Sequence, residues 1–232
     1  MLARLLAARD ETGGALSDED IVVELVHFFF AAYTGIHSAL AYQALLLAQH
    51  PDVMRRARDE IAWLGPGPLT LERCAGLRYV EQVTKEVRRY QRLVAVTFFA
   101  RVKAPFTFRG FHVPAGWKAV GSIATTLHDE AAFHAPATFD PDRFSAERAE
   151  DVKCPHAFVP HGPGRPGQHR CGGEALADLM MKVFAVHTLR AHTWDVAPGQ
   201  RLDARPGTLF PSPRDGLRVS FRTFSGAIDP HT

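Results

Sequence analysis

From Val26 to Gln49 the chain runs without one Asp, Glu, Lys or Arg: VHFFFAAYTGIHSALAYQALLLAQ. A segment this long and apolar either spans a bilayer or forms a buried central helix. His27, Thr34, Gly35, His37, Ser38 and Gln43 interrupt it, and no basic flank anchors it. The buried helix is therefore expected, with no membrane partner. Ser17-Asp18-Glu19-Asp20 marks its start, because a serine cap and first-turn acids satisfy free N–H groups and complement the dipole. It is expected to run to about Gln49, roughly 45–50 Å at about 1.5 Å per residue. Pro51 then disfavours helix at His50.

Around that helix the pattern predicts further elements. VMRRARDEIAWL is a short amphipathic helix and GPGP, residues 65–68, a loop. Thr70 caps the next helical region, where Tyr79, Val83, Val87 and Tyr90 recur at helical spacing. VAVTFFARV, FTFRGFHV and WKAVGSIATT are short, aromatic and β-branched, and read as strands of a small sheet. FDPDRF is a tight turn, and residues 145–170 are irregular. Leu176, Leu179, Met180, Val183, Phe184, His187 and Leu189 mark a second long helix, and LFPSPRDGLRVSF a hairpin turning at Asp215-Gly216.

Composition narrows the class. Of 232 residues, 46% are hydrophobic and 22% charged, which suits one sizeable core. The net charge is +2 and the basic residues are scattered, so no nucleic-acid partner is expected. Cys74, Cys154 and Cys171 are an odd count at unrelated spacings, which argues for a reducing cytoplasm over a disulfide framework. MLARLLAARDETGG alternates charged and apolar residues too quickly for a secretory signal.

Three features carry chemistry. Cys171 ends a loop containing Gly164, Pro166 and Gly167 and precedes Gly172-Gly173 and a helix. Glycines let backbone approach a flat object closely, and N–H groups at a helix start favour a thiolate. Such a sulfur can bind a metal or attack an electrophile; a buried structural cysteine in a capping loop is the plainer reading. Glu86 and Arg89 share a helix face at i, i+3, a spacing that alone describes many surface pairs. Arg143, in DPDRF, is either a surface arginine or a partner for a buried carboxylate.

Taken in order, Glu86-Val87-Arg88-Arg89, Pro141-Asp142-Arg143-Phe144 and Gly167-Gln168-His169-Arg170-Cys171-Gly172-Gly173 resemble the cytochrome P450 superfamily of haem-thiolate enzymes. FFARV, FHVPAGWKAV and ALAYQALLLAQHPDVMRRARDEI resemble its sheet and distal-helix segments. The resemblance implies a mainly α fold with small β-sheets. Residues 1–232 would form a single partial domain, the C-terminal half of that fold with the N-terminal portion absent. It implies haem, with Cys171 as its axial thiolate and metal ligand, and His169 and Arg101 on the propionates. Gly164, Gly167 and Gly173 would shape the cofactor loop. Glu86, Arg89 and Arg143 would form a buried structural network. Ala31, Ala32, Val94, Val96, Thr97, Leu209 and Phe210 would line the site of a small apolar substrate.

The resemblance also has departures. A phenylalanine usually lies seven residues before the cysteine, where this chain has Gly164; Phe158 lies further back, so the loop is expanded. That form, with EVRRY and the aromatic strand after it, resembles bacterial fatty-acid peroxygenases, which use hydrogen peroxide in place of a redox partner. In the distal helix Thr34 takes the place of the family's acid and Gly35 that of its alcohol. Phe30 and Ala31 stand where peroxygenases carry an arginine. The readings that follow are a monooxygenase or peroxygenase completed by a separate N-terminal chain or by self-association, and an inert haem-binding remnant. A third class is a zinc site drawn from Cys154, His156, His161, His169 and Cys171.

Overall fold

The computed structural model describes residues 1–154, 156–164, 170–205 and 207–224. It is mainly helical, with three two-stranded sheets. After a short helix α1 (Leu2–Ala7), the long helix α2 covers Asp18–Gln49. Ser17 caps it in a complete capping box, its hydroxyl accepting the Asp20 N–H while the Asp20 carboxylate accepts the Ser17 N–H. Pro51 opens α3 (Pro51–Ala62), the first-turn position where its missing N–H costs no hydrogen bond. The short α4 (Leu71–Ala75) is capped by Thr70 and leads into α5 (Arg78–Tyr90).

The C-terminal half of α2 is apolar all round, and it is buried on all sides. Leu45, Leu46 and Leu47 pack with Val80, Val83 and Val87 of α5, Met181 and Leu189 of α8 (Glu174–Ala191), and residues of α3. Polar groups inside this core find partners across helices. Gln43 Nε2 donates to Met181 O at 3.1 Å, and Trp194 Nε1 to Ala44 O at 2.9 Å.

The N-terminal half of α2 departs from the expected burial. Phe29 is 65% and Tyr33 73% exposed, against 1% for Leu46. Val22, Val23, Val26 and Phe30 on the same stretch are likewise exposed. By length and composition alone α2 is apolar enough to cross a membrane, yet its second half is core. Among the described residues, the second half is enclosed by α3, α5 and α8, while most of the first half's apolar side chains are exposed.

Strands form where turns permit. β2 (Phe106–Phe108) and β3 (Phe111–Val113) make a hairpin whose two loop residues, Arg109 and Gly110, both have positive φ, the combination that matches strand twist. β1 (Ala100–Arg101) pairs with β4 (Lys118–Ala119), leaving only a Val96–Ser122 bridge from the longer strand expected there. SIATT was expected to be strand and is instead the helix α6 (Ile123–Thr126), because the Ser122 hydroxyl accepts the Thr125 N–H and Ile123 is buried. Pro141–Phe144 is a 3-10 turn, and α7 (Glu150–Lys153) lies within the irregular stretch. The tail hairpin is also corrected. Gly216, at φ 76°, does turn the chain, but β6 (Val219–Thr223) pairs antiparallel with β5 (His192–Val196) directly after α8.

Candidate functional site

The helix α5 organises the site by burying valines on one side and charges on another. Glu86, Arg89 and Arg143 are all fully buried. Arg89 Nε and Nη2 donate to the two Glu86 carboxylate oxygens at 2.7 and 2.8 Å, a bidentate pair. Arg143 Nε donates to the same carboxylate at 3.1 Å. Surplus donors meet carbonyls: Arg89 reaches Leu127 O and Pro136 O, and Arg143 reaches His134 O, all at 2.9 Å. The three expected members thus come together, with two cations for one anion. The sequence reading missed the fourth member, Glu150, whose carboxylate accepts from Arg143 Nη1 at 2.8 Å. Burial pushes the Glu150 carboxyl up, but Arg148 and Arg143 pull it down further, so it lies below its ordinary value. The Asp140 N–H completes the Glu86 shell at 2.9 Å. No local pattern marks Glu150, which lies 64 residues beyond Glu86 in the chain.

Cys171 lies just before α8. Cys171 is exposed, and all three cysteines are unpaired. Its N–H donates to His161 O at 2.9 Å, closing the base of the loop. The next two residues have no side chains. A Cβ on Gly172 would meet nothing within 4 Å, and one on Gly173 would stand 3.8 Å from Cys171 Sγ. Among the described residues, the thiol is thus flanked by bare backbone immediately before the first turn of α8. One exposed sulfur with bare backbone beside it is a donor set fit for a flat group bound through a single axial thiolate. Gly167 and His169 lie outside the described residues; Gly164 lies within the loop and is half-buried.

The remaining expected residues fall in several places. Gly35 faces Phe210, where a Cβ would come 3.6 Å from the ring, and Ser38 donates to Pro211 O. The tail thus reaches the middle of α2, beside half-buried Ala31 and Ala32, with Leu209 exposed. The Thr34 hydroxyl donates to Phe30 O at 2.7 Å. Thr97 is engaged with Gly121, whose N–H donates to its hydroxyl at 2.9 Å, and Val96 is exposed. Val94 packs with Ile123, Leu127 and Val159. Arg101 is exposed on β1, opposite Lys118.

The zinc grouping does not assemble among the described residues, where no three His, Cys, Asp or Glu side chains converge. Cys154 packs against Phe133, Phe144 and Ala157, and His161 Nε2 is occupied by Arg88 Nη1 at 2.7 Å.

The family model for cytochrome P450 matches residues 1–221. The chain belongs to the cytochrome P450 family. Relatives include cytochrome P450 120 of Synechocystis sp., 34% identical over 96% of this chain and 49% of its own length. Human cytochrome P450 26B1 is 34% identical over 94% of this chain and 43% of its own length. The solved structure of retinoic acid-bound cyanobacterial CYP120A1 superposes with a TM-score of 0.88 at 34% identity, covering 96% of this chain and 50% of that one. The chain therefore spans about half the length of the P450s it matches. Members of the family hold haem through a cysteine thiolate. The peroxygenase kinship expected from the loop finds no support in these relatives. An expanded loop is one local trait, whereas overall similarity is measured across the helices and core.

Proposed function

We propose that this chain is the C-terminal, haem-bearing half of a cytochrome P450 monooxygenase acting on an apolar organic substrate. The observation that carries the proposal is Cys171, an exposed thiol with bare glycine backbone beside it at the start of α8, in a chain that also holds a satisfied Glu86–Arg89–Arg143 network. Haem bound through an axial thiolate supplies oxygen activation for insertion into a C–H bond.

The chain's own residues supply the surroundings. Cys171 Sγ would hold the haem iron, and the His161 carbonyl accepts the Cys171 N–H. Arg101 and His169, as cations, would neutralise its propionates. Ala31, Ala32, Gly35, Val96, Leu209 and Phe210 offer small and apolar walls, which exclude water and orient an extended substrate. The retinoic acid held by the cyanobacterial relative supports that substrate class. Thr34 acts only as an acceptor while its proton is committed to Phe30 O. Electrons come from a redox partner. A separate chain or a second copy covers the exposed part of α2, and the three unpaired cysteines support a reducing compartment.

The test is a carbon monoxide difference spectrum of the reduced, haem-reconstituted chain. The parent is expected to give the thiolate-type band, and Cys171→Ala to lose it. Equal pigment uptake with an unchanged spectrum in Cys171→Ala would remove the assignment. A second reading, an inert haem-binding remnant, is favoured by the committed Thr34 hydroxyl and the exposed α2 face. Substrate oxidation driven by reductant or by peroxide separates the two, since the remnant turns over neither way.

A further inference from the structure

Arg88 stands next to Arg89 on α5 yet takes no part in the Glu86 network. Its side chain is only 4% exposed. Nε donates to Thr84 O at 3.0 Å, within the same helix. Nη1 lies 2.7 Å from His161 Nε2 and 2.5 Å from Asp178 Oδ1 on α8, the latter an ion pair without hydrogen-bond geometry. His161 is also the residue whose carbonyl accepts the Cys171 N–H. One guanidinium therefore joins α5, α8 and the residue that holds the cysteine backbone.

The chemistry of this contact has one direction. Arginine keeps its protons and has no acceptor, so His161 Nε2 accepts and the imidazole carries its proton on Nδ1. A buried cation is tolerated only when paired. Pairing α5 to α8 would need Asp178 alone. The second contact, to His161, extends the tie to the loop.

We infer that Arg88 is a positioning residue for the Cys171 loop, holding His161 so that its carbonyl fixes the ligand's backbone. This rests on the reading of Cys171 as axial thiolate for its functional meaning, but the tie itself can be measured without haem. The first measurement is amide hydrogen exchange of Cys171 in the haem-free 232-residue chain, with Val83 and Val87 of α5 as internal references. Arg88→Met and His161→Phe are each expected to speed Cys171 exchange about tenfold, with the reference amides moving less than about twofold. His161→Gln keeps a side-chain acceptor for Arg88 and is expected to stay near the parent. In the haem-loaded chain, Arg88→Met is expected to lower the thiolate-type share of the reduced carbonyl spectrum several-fold.

Cys171 exchange that rises no more than that of Val83 and Val87 means that Arg88 serves packing only, and overturns the proposal. So does His161→Gln behaving like His161→Phe. Should Arg88→Met not fold, the His161 pair and Asp178→Asn decide by the same readout. A parent chain that takes up no haem, with Cys171 exchange still responding to Arg88→Met, would sink the haem reading while leaving the positioning role standing.

Discussion

The charged centre around Glu86 and the exposed face of α2 are opposite outcomes of burial. Around Glu86, four ionised side chains are enclosed, and Glu86, Arg89 and Arg143 have no exposure at all. Their charges balance once Glu150 is included, and carbonyls take the spare donors. On α2, apolar side chains that ought to be enclosed face outward, Phe29 and Tyr33 among them. Three charged residues of the chain are thus fully buried, while several of its large apolar residues are exposed. Burial follows from the presence of partners, and residue type only states what kind of partner is needed.

The sharpest way to break that contrast is to remove a partner from the charged centre. Arg89→Leu leaves the Glu86 carboxylate with only Arg143 and the Asp140 N–H, and orphans carbonyls of Leu127 and Pro136. Breaking a buried pair from one side costs about 3–5 kcal/mol, a large share of the roughly 5–15 kcal/mol that holds a domain together. Urea unfolding should show the unfolding free energy falling by that amount, through a lower midpoint at unchanged slope. Where Arg89→Leu fails to fold, Arg89→Lys, which keeps charge but not the bidentate fork, should show a smaller loss. A loss below about 1 kcal/mol for either variant would mean the centre is solvated and the contrast is false.

Legibility in the sequence divided along the same line. Ser17 with its acids announced the start of α2 because a cap and the N–H groups that it satisfies lie within one turn. Glu86 and Arg89 were legible for a similar reason, being one helical turn apart, with Arg143 located by its own turn motif. Glu150 was not, because its claim to the network is made only in space. SIATT looked like strand from its β-branched residues; the Ser122 cap and the burial of Ile123 outweighed propensity. The turn at Gly216 was readable, but the strand after it chose His192–Val196, a partner that local pattern could not name. The glycines beside Cys171 were plain in the sequence, whereas the contact of Arg88 with His161 was hidden in a helix position that reads as surface charge.

A smaller effect comes from His128, which borders the charged centre. Burial, then the charges of Arg92 and Arg89, hold its imidazole down to about 4. Its folded value is therefore below its unfolded one, so the unfolded chain binds the extra proton between about pH 6.5 and 4. Stability contributed by the neutral ring is complete above that window and is lost as pH falls through it. After allowance for solvent screening the loss is on the order of 1 kcal/mol. Thermal unfolding followed from pH 7 to pH 4 should show it, and His128→Gln should flatten that part of the profile. An identical slope in the variant would place the titrating group elsewhere.

The smallest effect is expected at the outward face of α2, and its smallness is the informative part. Phe29 makes an edge contact with Phe28 on the same helix, at 6.3 Å between ring centroids, and is otherwise largely solvated. Phe29→Ser should therefore change unfolding free energy by no more than about 0.5 kcal/mol, the range of ordinary surface substitutions. It removes exposed apolar area, so any self-association driven by that face should weaken, which sedimentation at several concentrations reads directly. A stability loss above about 1.5 kcal/mol, disappearing on dilution, would mean that a second copy already covers the face in solution. In that case the two regions differ only in where the partner comes from, inside the chain for Glu86 and outside it for Phe29.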